Sequence, residues 1–121
     1  MLAWSSLSDL DIYVTCPSGE TIWARQLNAC GGALDIDANG SGNAKVPDPV
    51  EHVTFPVAPP GTYRVAVANC EYDGPSEAFR ITVIHRGRVI HRVPGGSPVT
   101  RSSGTAGCGT PRQVLEFRIP P

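Results

Sequence analysis

The 121-residue sequence predicts an all-β fold, an antiparallel β-sandwich of about 7–8 strands, on three observations. Apolar residues alternate with polar ones in many short stretches, and this period of two is typical of strands that bury one face. No stretch shows a convincing repeat of 3.6 residues, so we expect no long helix. The 13 glycines and 12 prolines supply the turns that many short strands need.

The first half of the chain predicts four strands. Leu10, Ile12 and Val14 alternate with polar neighbours, and a Pro-Ser-Gly turn at 17–19 leads to a hairpin partner. An irregular segment rich in Asn, Gly, Ser and Pro covers 38–49, and a loop of this length in a small domain is usually functional or disordered. The four strands are expected at 9–14, 21–24, 34–37 and 51–55.

The second half predicts four more strands. Tyr63, Val65 and Val67 fall on one face, which indicates a core strand. Two further strands form a hairpin about Arg86-Gly87, and a loose Gly/Ser/Thr segment precedes the last strand. Since the length suits one core, we expect residues 1–121 to form a single domain. These strands are expected at 62–68, 79–84, 89–93 and 114–119.

Charge is unevenly distributed along the chain. Residues 1–60 carry seven acidic and two basic side chains, a net charge of −5, whereas residues 61–121 carry four acids and eight arginines, a net charge of +4. Crowded carboxylates either repel one another or share a cation. The arginines form no basic-aromatic cluster, so we expect no nucleic-acid partner.

The ends and the hydropathy of the chain bear on its location. No apolar run approaches the ~20 residues that a membrane span needs, so we expect none. The opening residues 1–5 lack the basic and apolar regions of a signal peptide. We therefore expect a domain cut from a longer precursor, or a mature form given a new Met.

Four cysteines, Cys16, Cys30, Cys70 and Cys108, allow three pairings. Their spacing fits no zinc motif, which leaves disulfides as the favoured interpretation and reduced buried thiols as the alternative. Pairing of neighbours in chain order favours Cys16–Cys30 and Cys70–Cys108. Disulfides imply an oxidising compartment, so we expect a periplasmic or extracellular location.

Two Asp-x-Asp pairs, Asp9/Asp11 and Asp35/Asp37, are the strongest functional signal. Residues two apart on a strand point to the same side, so each pair presents two carboxylates together. They could simply solvate the outer faces of two strands. However, Asp is disfavoured in strands, and two pairs beside an irregular loop favour a metal site.

The second pair continues as Asp35-x-Asp37-x-Asn39-Gly40, which resembles the first half of a calcium-binding loop. It is not an EF-hand, because Val46 stands where that loop has Glu and no helix flanks it. Remaining ligands must come from other segments, and Glu51 is a further donor. We expect calcium (Ca²⁺) rather than magnesium, which keeps more waters. The predicted ligands are Asp9, Asp11, Asp35, Asp37, Asn39 and Glu51.

A family resemblance rests on six segments that occur in order along the chain. They are Leu-Ala-Trp at 2–4, Ser-Asp-Leu-Asp-Ile-Tyr-Val at 8–14, Cys-Pro-Ser-Gly-Glu at 16–20, Gly-Gly-Ala-Leu-Asp-Ile-Asp at 31–37, Pro-Val-Glu-His-Val at 49–53 and Pro-Gly-Thr-Tyr-Arg-Val at 60–65. Together they resemble the bacterial YfaP-like proteins, which contain the domain of unknown function 2135, over residues 2–93.

The resemblance implies a β-sandwich accessory module of an exported or cell-surface bacterial protein, with calcium at acidic positions that match Asp9, Asp11, Asp35, Asp37 and Glu51. The chain departs from the family in having four cysteines and a longer Pro-Asp-Pro-Val-Glu run at 47–51. We expect a non-catalytic module in which calcium has a mainly structural role.

Other functions remain open alongside this one. The chain has no Gly-x-Ser-x-Gly elbow, so we expect no enzyme. Trp4, Tyr13, Trp23 and Tyr72 suggest a metal-independent module that recognises a glycan or another protein. Buried rings would weaken that alternative.

Overall fold

The computed structural model describes residues 1–39, 45–70, 78–96 and 110–121. All ten of the elements in these ranges are strands, which build two antiparallel sheets in a sandwich-like arrangement. The strands are β1 (Leu2–Trp4), β2 (Leu10–Thr15), β3 (Thr21–Ile22), β4 (Asn28–Ala29), β5 (Gly32–Ile36), β6 (Val50–Thr54), β7 (Gly61–Asn69), β8 (Phe79–His85), β9 (Arg88–Gly95) and β10 (Arg112–Ile119).

The first sheet has six strands in the order β4-β5-β6-β1-β8-β9, and the second has four in the order β10-β7-β2-β3. The three-residue strand β1 lies in the middle of the larger sheet, where Leu2 is in register with Glu51 on one side and Ile81 on the other. The N-terminal segment therefore joins the two halves of this sheet.

The core lies between the sheets and follows the predicted alternation. Leu10, Ile12 and Val14 of β2 are buried beside Val65 and Val67 of β7. Burying an aliphatic side chain of this size stabilises the fold by about 1.5–3 kcal/mol relative to leaving it in water. The period-two pattern is thus the property of the sequence that specifies the sandwich.

The all-β prediction is confirmed, and all eight predicted strands are present. The structure adds β1 and β4, which have only three and two residues and are too short for an alternation to be recognised. The described residues include no helix that is long and apolar enough to cross a membrane.

The disulfide Cys16–Cys30 is confirmed, and it joins the end of β2 to the turn between β4 and β5. It closes a loop with a sequence separation of 14, for which chain entropy gives about 3 kcal/mol of stabilisation. Cys70 is also disulfide-bonded. The predicted pair Cys70–Cys108 includes Cys108, which lies outside the described residues.

Candidate metal centre

Four carboxylates from three separate segments meet at one edge of the sandwich. One oxygen from each of Asp9, Asp11, Asp37 and Glu51 can be chosen so that all four atoms lie within 4.8 Å of one another. Asp9 and Asp11 come from the start of β2, Glu51 from β6, and Asp37 from the segment after β5. The group therefore links the two sheets.

The position of Glu51 follows from an incomplete ladder along β2. The strand β3 pairs with β2 only at Val14 and Thr15, and no strand of the described residues pairs with this edge of β2 before them. The Ile12 N–H points out of this edge and donates to Glu51 Oε2 at 2.7 Å. A carboxylate from the opposite sheet thus completes the hydrogen bonding of β2.

The position of Asp37 follows from a β-bulge in β5. Leu34 is in register with Val53, but Ile36, two residues later, is in register with His52, so β5 contains one extra residue. Continued by one residue, this shifted register brings Asp37 to Glu51, with which it shares a hydrogen bond. Without the bulge, the apolar Ile36 would occupy that place.

Asp35, predicted as a ligand, lies beside His52 and is not part of the cluster. Asp35 is exposed, and one of its carboxylate oxygens lies 2.7 Å from Nδ1 of His52, whose side chain is also largely open to solvent. The two carboxylates of the Asp35/Asp37 pair therefore do not act together, contrary to the alternation expected for a regular strand. An exposed ion pair of this kind contributes little to stability, about 0–1 kcal/mol.

The side chain of Asn39, also predicted as a ligand, is engaged with the backbone through both its nitrogen and its oxygen. It is fully buried, and its Nδ2 donates to the carbonyls of Ser6, Ser8 and Val46 at 3.1, 3.3 and 3.1 Å. Its Oδ1 accepts from the Val46 N–H at 2.7 Å. Asn39 thus holds the segment that carries Asp37 against the connection between β1 and β2.

Burial and mutual repulsion make the cluster difficult to ionise. Burial, a hydrogen bond with Asp37 and the charge of Asp11 raise the pKa of Glu51 to about 11. Burial and the charges of Asp11 and Asp37 raise the pKa of Asp9 to about 7, while burial and the charge of Asp37 raise that of Asp11 to about 6. Such groups either hold protons or share a cation.

Two oxygens in the cluster are buried without a hydrogen-bond partner, Asp9 Oδ1 and Glu51 Oε1. Glu51 is only 1% exposed, and a buried acceptor left unsatisfied costs about 1–3 kcal/mol. Both oxygens belong to residues of the group of four, so a cation bound among the carboxylates could satisfy them. The residues present therefore fit a metal ion.

One basic side chain lies beside the cluster and was not predicted from the sequence. The Lys45 ammonium donates to the Asn39 carbonyl at 2.9 Å, and its charge lowers the pKa of Asp9 against the other influences. One lysine balances only part of the charge of four carboxylates. The sequence gives little indication that Lys45 lies near the cluster, because exposed lysines are common in loops.

The available donors are oxygens. The sulfur of Cys70 lies within the same distance of Asp9 and Asp11, but Cys70 is disulfide-bonded and so offers no thiolate. Carboxylate oxygens are the ligands of hard cations such as calcium and magnesium, whereas zinc prefers sulfur and nitrogen. Four of the six predicted ligands are thus brought together, Asp9, Asp11, Asp37 and Glu51.

The aromatic residues considered for glycan recognition differ in exposure, since Trp4 is buried whereas Tyr13 and Trp23 are half-buried. The Trp4 indole N–H donates to the Ser8 carbonyl at 2.8 Å. Trp23 stacks on Tyr13 with ring centroids 5.1 Å apart, and the Arg25 guanidinium lies 6.0 Å from the Trp23 ring centroid. Tyr72 lies outside the described residues.

Comparison with known proteins gives no match: no family model, no curated protein and no solved structure matches the chain significantly. The fold and the site therefore define the class. The molecule is a small all-β protein with a candidate acidic metal-binding cluster that bridges its two sheets.

Proposed function

We propose that the protein is a non-catalytic, calcium-binding β-sandwich module in which the ion has a mainly structural role. The observation that carries the proposal is the pair of buried, unpartnered oxygens, Asp9 Oδ1 and Glu51 Oε1, within a cluster of four carboxylates. A divalent cation would satisfy both atoms and offset the burial and mutual repulsion that raise the pKa values of Asp9, Asp11 and Glu51.

Calcium suits this donor set better than magnesium does. Calcium takes about 6–8 oxygens, some from bidentate carboxylates, and tolerates irregular geometry. Magnesium demands near-octahedral geometry and usually binds through one or two carboxylates while keeping several waters. Four carboxylates in one group favour the larger ion.

A structural role follows from where the ligands come from. The ion would join the start of β2 to β6 and to the segment after β5, which belong to different sheets. Glu51 and Asp11 are buried, at 1% and 5% exposure, which leaves little room for a substrate beside them. The site is thus better suited to fastening two sheets than to catalysis.

An exported or cell-surface setting agrees with this role. The Cys16–Cys30 disulfide is typical of oxidising compartments, and calcium is abundant outside cells, where even weak sites of about 10⁻⁴–10⁻³ M are filled. The resemblance to the YfaP-like proteins points the same way. The module would then be an accessory part of a bacterial surface protein.

The experiment is thermal unfolding of the whole chain in millimolar calcium and in chelator. With calcium about 100-fold above its dissociation constant, linkage gives about 2.7 kcal/mol of added stability, which is about 10 °C in Tm. Magnesium at the same concentration should give a smaller shift. Equal melting in calcium and in chelator would refute the proposal.

A further inference from the structure

A second surface of the protein lies on the hairpin of β8 and β9. This hairpin forms one edge of the larger sheet, and β4 and β5 form the other edge. Residues 79–95 contain four arginines and no acidic residue. The arginines are all exposed and share this hairpin with three exposed aliphatic side chains. We call this surface the hairpin patch: Arg80, Ile84, Arg86, Arg88, Val89, Ile90 and Arg92.

The strand register places part of the patch on one face. Thr82 is in register with Arg92, and Ile84 with Val89, so these residues lie on the face opposite to the core residue Ile81. Ile84 is 58% exposed and Val89 48%. A cross-strand aliphatic pair is thus open to solvent beside an arginine.

The backbone of β9 offers a second kind of contact. Strand β9 is the last in its sheet, and no other strand of the described ranges pairs with its outer edge. Between Arg88 and Val93 this edge contains no proline, although β9 has one extra residue between Val89 and His91, where a bulge interrupts the regular register. The edge can hydrogen-bond to an added strand on either side of this bulge, whereas Pro94 would end such pairing. Addition of an extended peptide to an exposed edge is a common mode of recognition.

The turn of the hairpin contains a residue that is unfavourable for folding. Arg86 and Gly87 have φ angles of 51° and 75°, which is the left-handed pair of a type I′ turn. Asn or Asp is strongly preferred at the first of these positions, and a residue such as Arg is strained there. An arginine at this exposed tip is therefore better explained by what it binds than by the turn.

We propose that the β9 edge and the hairpin patch bind an acidic, extended polypeptide segment as an added strand. Its backbone would pair with β9, its acidic side chains would lie beside Arg92 on the solvent-facing side of the hairpin, and its apolar side chains would lie on the side of Val93. A second copy of the chain does not fit, because two β9 edges would bring arginines of like charge together.

The test uses a labelled peptide of alternating Glu and Val with the 8-residue length of β9, followed by fluorescence anisotropy with the whole chain. Two matched peptides replace Glu by Lys or carry N-methyl groups on every peptide bond. The Glu-Val peptide should bind, with an affinity that falls as salt increases, and neither control should. Equal binding of the methylated peptide, or no binding of any, would overturn the proposal.

Variants then locate the site. Arg92→Glu should weaken binding about tenfold, since it removes one exposed ion pair and adds a repulsion of similar size. Arg118→Glu, an equally exposed change on β10 in the other sheet, should change it by less than about twofold. Equal losses in the two variants would mean nonspecific charge attraction and would contradict the assignment to β9.

The variant Arg86→Asn separates binding from folding. Asn suits the left-handed conformation, so the variant should melt at a higher temperature than the wild type while it binds the peptide up to about fivefold more weakly. Unchanged affinity would exclude Arg86 from the site. Binding to vesicles of anionic phospholipid without binding to the peptide, or a stable dimer in sedimentation, would replace the proposed partner with a lipid or a second copy.

Discussion

Glu51 of β6 accepts a hydrogen bond from the Ile12 N–H of β2 at 2.7 Å through one carboxylate oxygen, while its other oxygen is buried without a partner. The Glu51 side chain thus connects the two sheets and also has an unsatisfied carboxylate oxygen that could bind a cation. Stability and cation binding are therefore expected to depend on the same residue, which leads to the first prediction.

Replacing Glu51 by Gln should abolish the calcium-dependent rise in Tm. The amide can still accept from Ile12 and is uncharged, as is a carboxyl group with a pKa of about 11 near neutral pH, so the chelated variant should be about as stable as the chelated wild type. In calcium, however, the variant lacks one carboxylate ligand. Asp35→Asn is the matched control, since Asp35 is exposed and paired with His52. A full calcium response in Glu51→Gln, or its loss in Asp35→Asn, would contradict the assignment.

Replacing Asp37 by Ala should remove calcium binding with little effect on folding, because Asp37 is exposed whereas its partners in the cluster are more buried. The matched control is Asp48→Ala, an exposed carboxylate outside the cluster. Calorimetric titration with calcium distinguishes the two variants. Equal affinities in both would remove Asp37 from the ligand set.

The pH dependence of the chelated protein has a definite sign. Asp9 and Asp11 have pKa values raised to about 7 and about 6 by burial first and by neighbouring carboxylates next. Between the unfolded value near 4 and these values the native state binds more protons, so the stability that these two groups contribute is fully present below about pH 4 and is lost as pH rises through about 7. Urea unfolding in chelator at about pH 5 and about pH 8 measures this change.

Calcium should reverse that trend. Ligand carboxylates must lose their protons to bind the ion, so calcium affinity should increase over the same range in which the chelated protein loses stability. The difference between unfolding free energies with and without calcium should therefore be larger at about pH 8 than at about pH 5. A difference that does not change with pH would show that Asp9 and Asp11 are not ligands.

A substitution at Asn39 distinguishes a structural role of this residue from a role as a metal ligand. Asn39→Asp places a carboxylate oxygen opposite the carbonyls of Ser6, Ser8 and Val46 in place of the donating Nδ2, so it should destabilise the fold by about 1–3 kcal/mol or more and weaken calcium binding. If Asn39 were itself a ligand, the added negative charge would strengthen binding. Urea unfolding and calcium titration of this variant decide between the two roles.

Removing the Cys16–Cys30 disulfide should destabilise the protein without changing the carboxylate cluster. The double variant Cys16→Ser, Cys30→Ser should lower the free energy of unfolding by about 3 kcal/mol, mainly because the unfolded chain gains entropy. Denaturant unfolding in chelator measures the loss, with the wild type as reference. A change below about 1 kcal/mol would mean that the loop is held by its other contacts.

The sequence predicted those features that depend on local alternation and missed those that depend on pairing between distant segments. The core face of Leu10, Ile12 and Val14 follows from a period of two. The bulge in β5 does not, because it arises where β5 pairs with β6, and it brings Asp37 in place of Ile36 to Glu51. No pattern within 34–37 distinguishes the two aspartates.

Two further features show the same limit. Asn39 stands in a run with the composition of a calcium loop, but its hydrogen bonds reach residues more than 30 positions earlier, which a local pattern cannot specify. Strand β1 has three residues and derives its stability from neighbours on both sides. Composition therefore indicated an acidic site, and tertiary pairing decided its members.

The central claim is tested most directly by a crystal structure of the protein grown in calcium. The account predicts one ion within about 2.3–2.6 Å of carboxylate oxygens from Asp9, Asp11, Asp37 and Glu51, including Glu51 Oε1. An ordered water or the Lys45 ammonium among these oxygens, with no ion at saturating calcium, would contradict it.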